Sequence, residues 1–403
     1  MTTDETIGCA GCGAVQRLPA LATGSAAHCG VCATGLERAG SRNLDAALAA
    51  AATSFLLLLP ANLLPVFQVS LLAATRESHL WSGAASLWSE GWPLLAVPVL
   101  LFAIVLPLLR FALLTVTLAV LRGAHRPRWL GPAFRWSGTL AIWAMPDVML
   151  LGLWVAYGRL AALFTLQVEP GAYFLAAAVA AGVITGALVD RRAVWRAIMP
   201  ARAVPPGPAL SCPGCDLLLP LADGGGRCPR CAARLASRKP DGVVVTTALV
   251  VAGLIFYAPA NLLPMAATIQ VGAFLPYTVL KGVHDLIAAQ LWGLAGLVFT
   301  ASFVIPLLKL AAMFWLLWSV RARSATHLRA KTRLYGLVHA IGRWSMVDIL
   351  AIASFVPLMQ FDQLAGARAL AGASAFVMVV LLTMAATETF DPRTIWDAAR
   401  NRR

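Results

Sequence analysis

The sequence predicts an α-helical polytopic membrane protein in which two homologous bundles of four transmembrane helices each follow a small four-cysteine module. Three observations predict this architecture. Hydrophobic residues make up 60% of the 403 positions and charged residues only 12%, whereas soluble domains are about half apolar and about a quarter charged. Several motifs recur about half a chain length apart, and eight cysteines fall into two sets.

Apolar stretches long enough to cross a bilayer recur along the chain. A helix of about 20 residues spans the hydrocarbon core. We predict membrane spans near residues 44–67, 93–121, 136–163 and 172–189 in the first half, and near 243–266, 291–320, 334–360 and 369–388 in the second. A polar segment precedes the first apolar stretch, so the first span is predicted to be an uncleaved anchor and not a secretory signal.

An internal repeat organises the chain. Three motif pairs recur in the same order: Pro-Ala-Asn-Leu-Leu-Pro at 60–65 and 259–264, Leu-Pro-Leu-Leu-Arg at 106–110 with Ile-Pro-Leu-Leu-Lys at 305–309, and Trp-Ala-Met-Pro-Asp at 143–147 with Trp-Ser-Met-Val-Asp at 344–348. The offset is 199 for the first two pairs (259 − 60 = 199) and 201 for the third (348 − 147 = 201). The predicted domains are therefore residues 1–40 (module 1), 41–203 (bundle 1), 204–238 (module 2) and 239–403 (bundle 2).

Positive charge is concentrated in short segments between the apolar stretches. The formal net charge is +14 at pH 7, and three basic clusters carry much of it: Arg122, Arg126, Arg128 and Arg135; Arg191, Arg192, Arg196 and Arg202; and Arg321, Arg323, Arg329, Lys331 and Arg333. Because cytoplasmic loops of membrane proteins collect Lys and Arg, this pattern indicates membrane orientation and not nucleic-acid binding. Four spans per half place these clusters, both termini and both cysteine modules in the cytoplasm, so the halves form a parallel repeat.

The cysteines form paired Cys-x-x-Cys motifs. The two sets are Cys9, Cys12, Cys29 and Cys32, and Cys212, Cys215, Cys228 and Cys231. Two thiolates two residues apart on a tight turn can bind one tetrahedral ion, and a second such turn completes a four-sulfur site. We therefore predict that each module is a zinc ribbon with one structural zinc ion. Iron in the same ligand set and redox chemistry of the Cys pairs are the alternatives, while the reducing cytoplasm disfavours disulfides.

Ionisable side chains lie within the predicted spans of both halves. Such groups are costly in hydrocarbon and mark functional positions. Lys309 is about a dozen residues from the cytoplasmic end of its span, which places it near the bilayer midplane, and Asp348 lies midway along the next span. The two side chains can pair, and Arg110 and Asp147 occupy the matching positions of the first half. The competing interpretation is a buried ion pair that fixes helix register.

Further polar residues are confined to the second half. Thr387 and Glu388 lie at the cytoplasmic end of the last span, whereas the first half has Gly and Ala at the matching positions. His339 and Arg343 lie on the same helix as Asp348, and Arg343 is a second candidate partner for its carboxylate. This asymmetry predicts that the second half has a role that the first half lacks.

The repeated Pro-Ala-Asn-Leu-Leu-Pro segment marks the outer end of the first span of each half. Its two prolines interrupt the helical hydrogen-bond ladder, and Asn62 or Asn261 can then satisfy the freed backbone groups, which lipid cannot do. A structural turn and a substrate gate are both open interpretations. The loops that follow contain alternating residues at 69–71 and 269–271, which predict short strands.

Taken together, these motifs resemble those of the paraquat-inducible protein A family over nearly the whole chain. The resemblance rests on the doubled Cys-x-x-Cys pairs, the repeated Pro-Ala-Asn-Leu-Leu-Pro, the Pro-Leu-Leu-Arg/Lys step and the Trp-x-Met-x-Asp step. It implies a bacterial inner-membrane subunit of a lipid transport system that passes phospholipid or another lipid to or from a periplasmic tunnel of MCE-domain proteins, here a separate chain. By the same resemblance, Lys309, Asp348 and Thr387 match the polar centre of the second bundle.

Two other functions fit the same motifs. A membrane thiol oxidoreductase would use the Cys pairs to pass electrons to quinone, and a scaffold would recruit partners through its zinc ribbons. The sequence has no Gly-x-x-x-x-Gly-Lys-Ser/Thr motif and no hydrolytic constellation, so we expect a protein that is not an enzyme. If transport is active, we expect a proton gradient acting through Lys309 and Asp348.

Overall fold

The computed structural model describes residues 5–18, 21–22, 24–38, 43–71, 74–160, 165–200, 207, 209–270, 273–359 and 365–400. Within these ranges, eight helices are long and apolar enough to cross a membrane: Leu44–Leu63, Pro93–Arg122, Leu130–Gly158, Pro170–Leu188, Gly242–Leu262, Trp292–Arg321, Leu328–Ser354 and Ala371–Thr389. Four of them lie in each half, and a four-cysteine group precedes each set. The predicted fold class is therefore confirmed: the chain is a helical, multi-pass membrane protein with a repeated architecture.

The helices of the two halves follow one another in the same order. In the first half they are α1 (Leu44–Leu63), α2 (Ser82–Ser89), α3 (Pro93–Leu100), a π-helical turn (Leu101–Val105), α4 (Leu106–Arg122), α5 (Leu130–Trp143), α6 (Pro146–Leu160), α7 (Pro170–Leu188) and α8 (Arg191–Ile198). In the second half they are α9 (Gly242–Leu262), α10 (Val279–Ala288), α11 (Trp292–Phe299), a π-helical turn (Thr300–Val304), α12 (Ile305–Arg321), α13 (Leu328–Ile341), a 3₁₀ turn (Gly342–Met346), α14 (Val347–Phe355), α15 (Ala371–Thr389) and α16 (Arg393–Arg400).

Short antiparallel strands lie at both ends of the spans. Before the spans of each half come the hairpins β1 (Glu5–Gly8) with β2 (Val15–Leu18), β3 (Ala26–His28) with β4 (Gly35–Arg38), and β8 (Ala209–Ser211) with β9 (Leu218–Pro220). Between the spans lie two three-stranded sheets, β5 (Phe67–Leu71) between β6 (Ala74–Ser78) and β7 (Thr165–Val168), and β10 (Ala266–Gln270) between β11 (Ala273–Tyr277) and β12 (Ala365–Ala369).

These strands define the two faces of the molecule. The cysteine hairpins precede the first span of each half, while the two sheets connect the opposite ends of the spans. We call the two faces the ribbon side and the sheet side. The strands predicted near 69–71 and 269–271 are confirmed for the residues that the structure describes, and Val271 lies outside them.

Several span boundaries differ from the predicted ones, and proline explains the first. Helix α1 runs through Pro60 and ends at Leu63, not near residue 67, because Leu64 is extended (φ −88°, ψ 152°) ahead of Pro65. The residue before a proline is disfavoured in the helical region. The third spans begin at Leu130 and Leu328, six residues before the predicted starts at 136 and 334 (136 − 130 = 6). The residues between the observed and predicted starts include Arg135 in α5 and Arg329, Lys331 and Arg333 in α13, which the apolar pattern does not include.

The α-helix of the third span is interrupted midway in both halves, but the interrupting backbone structure differs between them. Helix α5 ends at Trp143 and Ala144 is extended (φ −78°, ψ 110°) before Pro146. The second half has Val347 at the place of that proline, and a 3₁₀ turn over Gly342–Met346 interrupts the span instead. A 3₁₀ segment inside a helix is a known mark of a functional hinge.

The two halves pack against each other through their third spans. Helix α14 lies against α6, and α2 also crosses α14 so closely that a Cβ added to Gly83 would be 2.0 Å from the carbonyl oxygen of Ala353. Only glycine permits such an approach of two backbones. Helix α15 contacts α3 of the first half as well as α9, α12 and α13 of its own. The last span is therefore enclosed by protein from both halves.

Each cysteine module docks on the bundle of the other half. The first cysteine cluster packs against Trp396 on α16, and Arg329 near the start of α13 donates hydrogen bonds to the carbonyl oxygens of Val31 (2.7 Å) and Gly30 (3.2 Å). Arg393 on α16 donates to the carbonyl oxygen of Ala10 (3.4 Å). The N-terminal module is thus attached to the C-terminal bundle, and its Glu37 also accepts a hydrogen bond from Arg196 on α8 of the first half (2.8 Å).

The second module makes the reciprocal contact. Its cysteines share a hydrophobic core with Phe134 on α5 and Trp195 on α8. The approach is close: a Cβ on Gly131 of α5 would be 1.8 Å from the carbonyl oxygen of Arg230, beside Cys231. Trp195 and Trp396 occupy matching positions of the repeat (396 − 195 = 201). The crossed docking therefore follows the pseudo-symmetry of the chain.

Candidate functional site

Each cysteine set forms a closed four-sulfur cluster. The Sγ atoms of Cys9 and Cys32 are 3.5 Å apart and those of Cys12 and Cys29 3.6 Å apart, and the second cluster has the same two spacings. Within each cluster all four Sγ atoms lie within 4.8 Å of one another, and every cysteine is buried. A disulfide requires about 2.05 Å, whereas four sulfurs about 2.3 Å from a tetrahedral ion are about 3.8 Å apart. The clusters therefore fit a metal ion and not disulfides.

Tight backbone turns hold these sulfurs. The residue after the second cysteine of every pair has a positive φ: Gly13 (76°), Ala33 (63°), Asp216 (56°) and Ala232 (54°). The N–H of Gly11 donates to the Sγ of Cys9 (3.4 Å), and the N–H of Gly214 donates likewise to Cys212 (3.5 Å). Burial raises the pKa of the Cys9 thiol to about 11. A bound cation is what keeps such a buried sulfur as a thiolate at neutral pH.

A second candidate site lies inside the second bundle. Lys309 on α12 is 2% exposed and Asp348 at the start of α14 is 7% exposed. The described contact of the Lys309 ammonium is a hydrogen bond to the carbonyl oxygen of Gly342 (3.3 Å). The expected direct pair between Lys309 and Asp348 is therefore not formed in this structure. The 3₁₀ turn explains the difference, because it turns a carbonyl group toward the ammonium. The side chain of Arg343 lies outside the described residues.

Sequence reasoning missed three hydroxyls around this centre. Ser302, Ser345 and Thr383 are 0%, 1% and 2% exposed, and they lie on the π-helical turn before α12, the 3₁₀ turn and α15, which pack together around Lys309. The matching positions of the first half are Ala103, Ala144 and Gly182. The signal was therefore present in the repeat, because Ala or Gly occupies the position in the first half that matches each of these hydroxyl residues.

A water-sized cavity adjoins the carboxylate on the sheet side. It has a volume of about 30 Å³ and is lined by Asp348, by Tyr277 at the end of β11, by Thr278 just before α10, and by Ala156 and Val298, among others. A buried water needs at least about 10–15 Å³ of such space and polar partners. The cavity can therefore hold one or two waters beside Asp348, but it is far too small for a lipid.

At the ribbon side of the same bundle, α13 and α15 are joined by polar contacts. The Nε2 of His339 is 2.7 Å from the Oε1 of Glu388. The phenol of Tyr335 donates to the carbonyl oxygen of Thr387 (2.9 Å), and the Thr387 hydroxyl, 3% exposed, donates to Met384 (2.8 Å). Thr387 and Glu388 thus lie on one short polar segment, and its hydrogen bonds join the helices.

The first half places its charged pair differently. Arg110 and Asp147 are only half-buried, and the Arg110 guanidinium lies 4.9 Å from the centroid of the Phe111 ring. The first bundle buries hydroxyls at other positions, where Ser54 and Thr185 are 3.3 Å apart. The two bundles therefore do not share one polar centre.

The paired asparagines act on the backbone in both halves. The Nδ2 of Asn62 donates to the carbonyl oxygen of Leu58 (2.7 Å), and that of Asn261 donates to Tyr257 (2.8 Å). Each side chain thus satisfies a carbonyl four residues earlier, close to the proline inside the helix. These contacts belong to the helix ends, and in this structure they do not join the two asparagines to Lys309.

Comparison with known proteins covers both halves. The sequence profile described as "Paraquat-inducible protein A" matches residues 44–199 and 244–400. The chain is 31% identical over 401 residues to "Intermembrane transport protein PqiA" of Escherichia coli strain K12, covering 96% of this chain and 95% of that protein. It is 29% identical to "Lipophilic envelope-spanning tunnel protein A" of the same strain, covering 97% and 91%. No solved structure matches the chain with statistical significance.

Proposed function

The chain belongs to the paraquat-inducible protein A family, and we propose that it is the inner-membrane subunit of a lipid transport system. In this proposal it passes phospholipid or another lipid to or from a periplasmic tunnel built by a separate MCE-domain protein. The observation that carries the proposal is the similarity over nearly the full length to relatives whose names describe intermembrane transport and an envelope-spanning tunnel. The protein would then be a transporter and not an enzyme.

We further propose that proton movement through Lys309 and Asp348 drives the transfer. Both groups are buried within a membrane-embedded bundle. An ionisable side chain is energetically costly there, so its presence points to a function. The water-sized cavity beside Asp348 supports this proposal, because a proton route needs hydrogen-bonding groups or waters along its length.

We propose that each ribbon, within residues 1–40 and 204–238, holds one structural zinc ion on the cytoplasmic side. The four-sulfur geometry fits zinc, and all four ligand positions are filled by protein, which is typical of structural sites. In this proposal the ions hold the ribbons in shape so that each ribbon can brace the bundle of the other half.

The test is native mass spectrometry of the protein purified gently from its own membranes. The expected result is co-purification of an MCE-domain protein, bound phospholipid and two zinc ions per chain. A chain without metal or partner but with bound quinone would overturn the proposal in favour of a thiol oxidoreductase. Ribbon variants that fold and insert, transfer lipid normally and yet lose a protein partner would instead favour a scaffold.

A further inference from the structure

One polar pair in the second bundle has no role in the proposed function so far. His339 on α13 and Glu388 at the end of α15 are 2.7 Å apart (Nε2 to Oε1), and their side chains are 38% and 30% exposed. The pair is therefore partly exposed, and it joins two membrane helices at the ribbon-side end of α15. We propose that His339 and Glu388 form the ribbon-side port through which protons pass between water and the Lys309–Asp348 centre, an inference that rests on the proposed proton coupling.

The port lies one turn along the third span from the group that binds the ammonium. Lys309 donates its hydrogen bond to the carbonyl oxygen of Gly342 (3.3 Å), and Gly342 follows His339 by three residues (342 − 339 = 3). About one helical turn of backbone therefore separates His339 from the acceptor of the Lys309 ammonium. In the proposal, water relays the proton between the Lys309 ammonium and the His339 imidazole.

The charged and titratable groups around the port are few. The Tyr335 ring is 6.1 Å from the His339 ring, and the Lys239 ammonium donates to the carbonyl oxygens of Glu388 and Phe390. Asp391 is 4.0 Å from Arg393, at the beginning of α16.

The other elements packed against the pair carry further charges. Helices α9 and α3, which also pack against α15, contain no Asp, Glu, Lys, Arg or His, whereas α12 contributes Lys309 and Arg321 and the 3₁₀ turn contains Arg343. The Lys239 ammonium interacts electrostatically with both Glu388 and Asp391.

The opposite end of the route has its own access. The cavity of about 30 Å³ beside Asp348 is also lined by Tyr277 and Thr278 on the sheet side. The polar groups of the second bundle therefore extend from a water-sized space at one end to a partly exposed imidazole at the other. Lys309 and the buried hydroxyls lie between these ends.

The first bundle argues against a purely structural role for the pair. The residues that match His339 and Glu388 are Gly138 and Ala187, and Phe134 matches Tyr335. The first bundle forms the same set of helices with no side chain at these positions that can carry a proton. A hydrogen bond between the third and fourth spans is therefore not a requirement of the fold.

The proton transfers balance over one cycle. The Lys309 ammonium gives a proton to a bridging water, which passes its own proton to the neutral imidazole of His339. The resulting imidazolium is stabilised by the Glu388 carboxylate and releases its proton to water on the ribbon side. Lys309 then regains a proton from the sheet side by way of Asp348. No covalent bond other than those to the moving protons changes.

The experiment measures two quantities in proteoliposomes that contain the full-length protein. The first is proton flux under an imposed membrane potential, followed with a pH-sensitive dye. The second is transfer of a fluorescent phospholipid to the MCE-domain partner. The variants are Glu388→Gln, which keeps a hydrogen-bond acceptor for His339 but carries no ionisable proton, His339→Gln, and Glu388→Asp, which retains a carboxylate. The matched control is His284→Ala, since His284 and Asp285 form an exposed pair outside the spans (3.8 Å, 81% and 62% exposed).

We expect Glu388→Gln and His339→Gln to lower proton flux by at least ~10-fold, the scale on which a positioned proton carrier acts. Glu388→Asp retains most of the flux and His284→Ala all of it, with metal content unchanged in every variant. Equal flux in the Gln variants and the wild type overturns the port, and so does a wild type that shows no proton flux at all. The lipid-transfer measurement separately decides the proposed function, because wild-type protein that moves protons but no lipid refutes transport and leaves the port standing.

Discussion

The two halves of this chain share a fold and differ in what encloses their polar residues. In the second half, Lys309 and Asp348 are 2% and 7% exposed, whereas the matching Arg110 and Asp147 are half-buried. The last span of each half shows the same contrast. In an 18-residue apolar segment of this span, 61% of the residues are buried inside the protein in the second half and 28% in the first. Helices α2 and α3 of the first half pack against α14 and α15 of the second half and help to enclose them. The last span of the first half is less enclosed.

The difference bears on the proposed proton chemistry. A long charged side chain that is only half-buried can extend along apolar surface toward a polar environment. An enclosed group exchanges protons only along a route that the surrounding protein supplies. In our proposal the second half supplies this route through its hydroxyls, its cavity and the His339–Glu388 pair, while the matching positions of the first half hold Ala, Gly and Phe. The proposal therefore assigns the proton chemistry to the second bundle alone.

The largest expected effect separates the two charged pairs. We predict that Lys309→Ala lowers lipid transfer at least ~10-fold, because no other group can take the place of an enclosed proton carrier. Arg110→Ala should lower lipid transfer by less than ~2-fold, because the Arg110 side chain is only half-buried and its position is accessible to other polar groups. The measurement is phospholipid transfer to the MCE-domain partner in proteoliposomes. Protein amount and metal content serve as the control for folding. Equal losses in the two variants would show that the halves share the work, and full activity of Lys309→Ala would refute proton coupling.

A second prediction tests the crossed docking of the ribbons. Cys12→Ser and Cys215→Ser should each remove one of two metal ions, because a structural site needs all four ligands. Cys12→Ser should speed hydrogen exchange in α13 and α16 of the second half, and Cys215→Ser should do so in α5 and α8 of the first. Exchange followed by mass spectrometry should detect a rate increase of about tenfold for each ~1.4 kcal/mol of local stability that is lost.

The pattern of the exchange decides the result. Each ribbon variant serves as the control for the other, since the two remove the same ligand type from equivalent sites. Faster exchange in the half that follows the altered ribbon in sequence, with the other half unchanged, would contradict crossed docking.

The smallest expected effect concerns one backbone contact. Gly131→Ala should lower the free energy of unfolding by about 1–3 kcal/mol, as expected for overpacking, because the new Cβ would meet the carbonyl oxygen of Arg230 at 1.8 Å. Gly336→Ala on α13 is the control, since nothing lies within 4 Å of its added Cβ. Thermal unfolding in detergent is the measurement. A Gly131→Ala protein that is as stable as the Gly336→Ala protein would show that module 2 does not pack tightly against α5.

Much of the architecture was predictable because it is written in local patterns. The eight spans follow from apolar length, the sulfur clusters follow from Cys-x-x-Cys spacing, and the short strands follow from alternation. The errors at span ends have local causes too: Pro65 ends α1 early, and charged residues within the first six positions conceal the starts of α5 and α13. Ser302, Ser345 and Thr383 were missed because a hydroxyl in a helix gives no signal by itself, although comparison with the other half reveals each of them.

Local patterns in the chain were enough to predict a membrane protein built as a parallel repeat with two four-sulfur sites, because hydrophobic length and ligand spacing act over a few residues or a single turn. The contact of each ribbon with the opposite half, the hydrogen bond from Lys309 to the Gly342 carbonyl, and the enclosure of the last span by both halves became visible only in the folded protein. These arrangements join residues far apart in the chain. Which of several polar or apolar surfaces meet is set by how the packed helices fit together, and no periodicity along the chain records that fit.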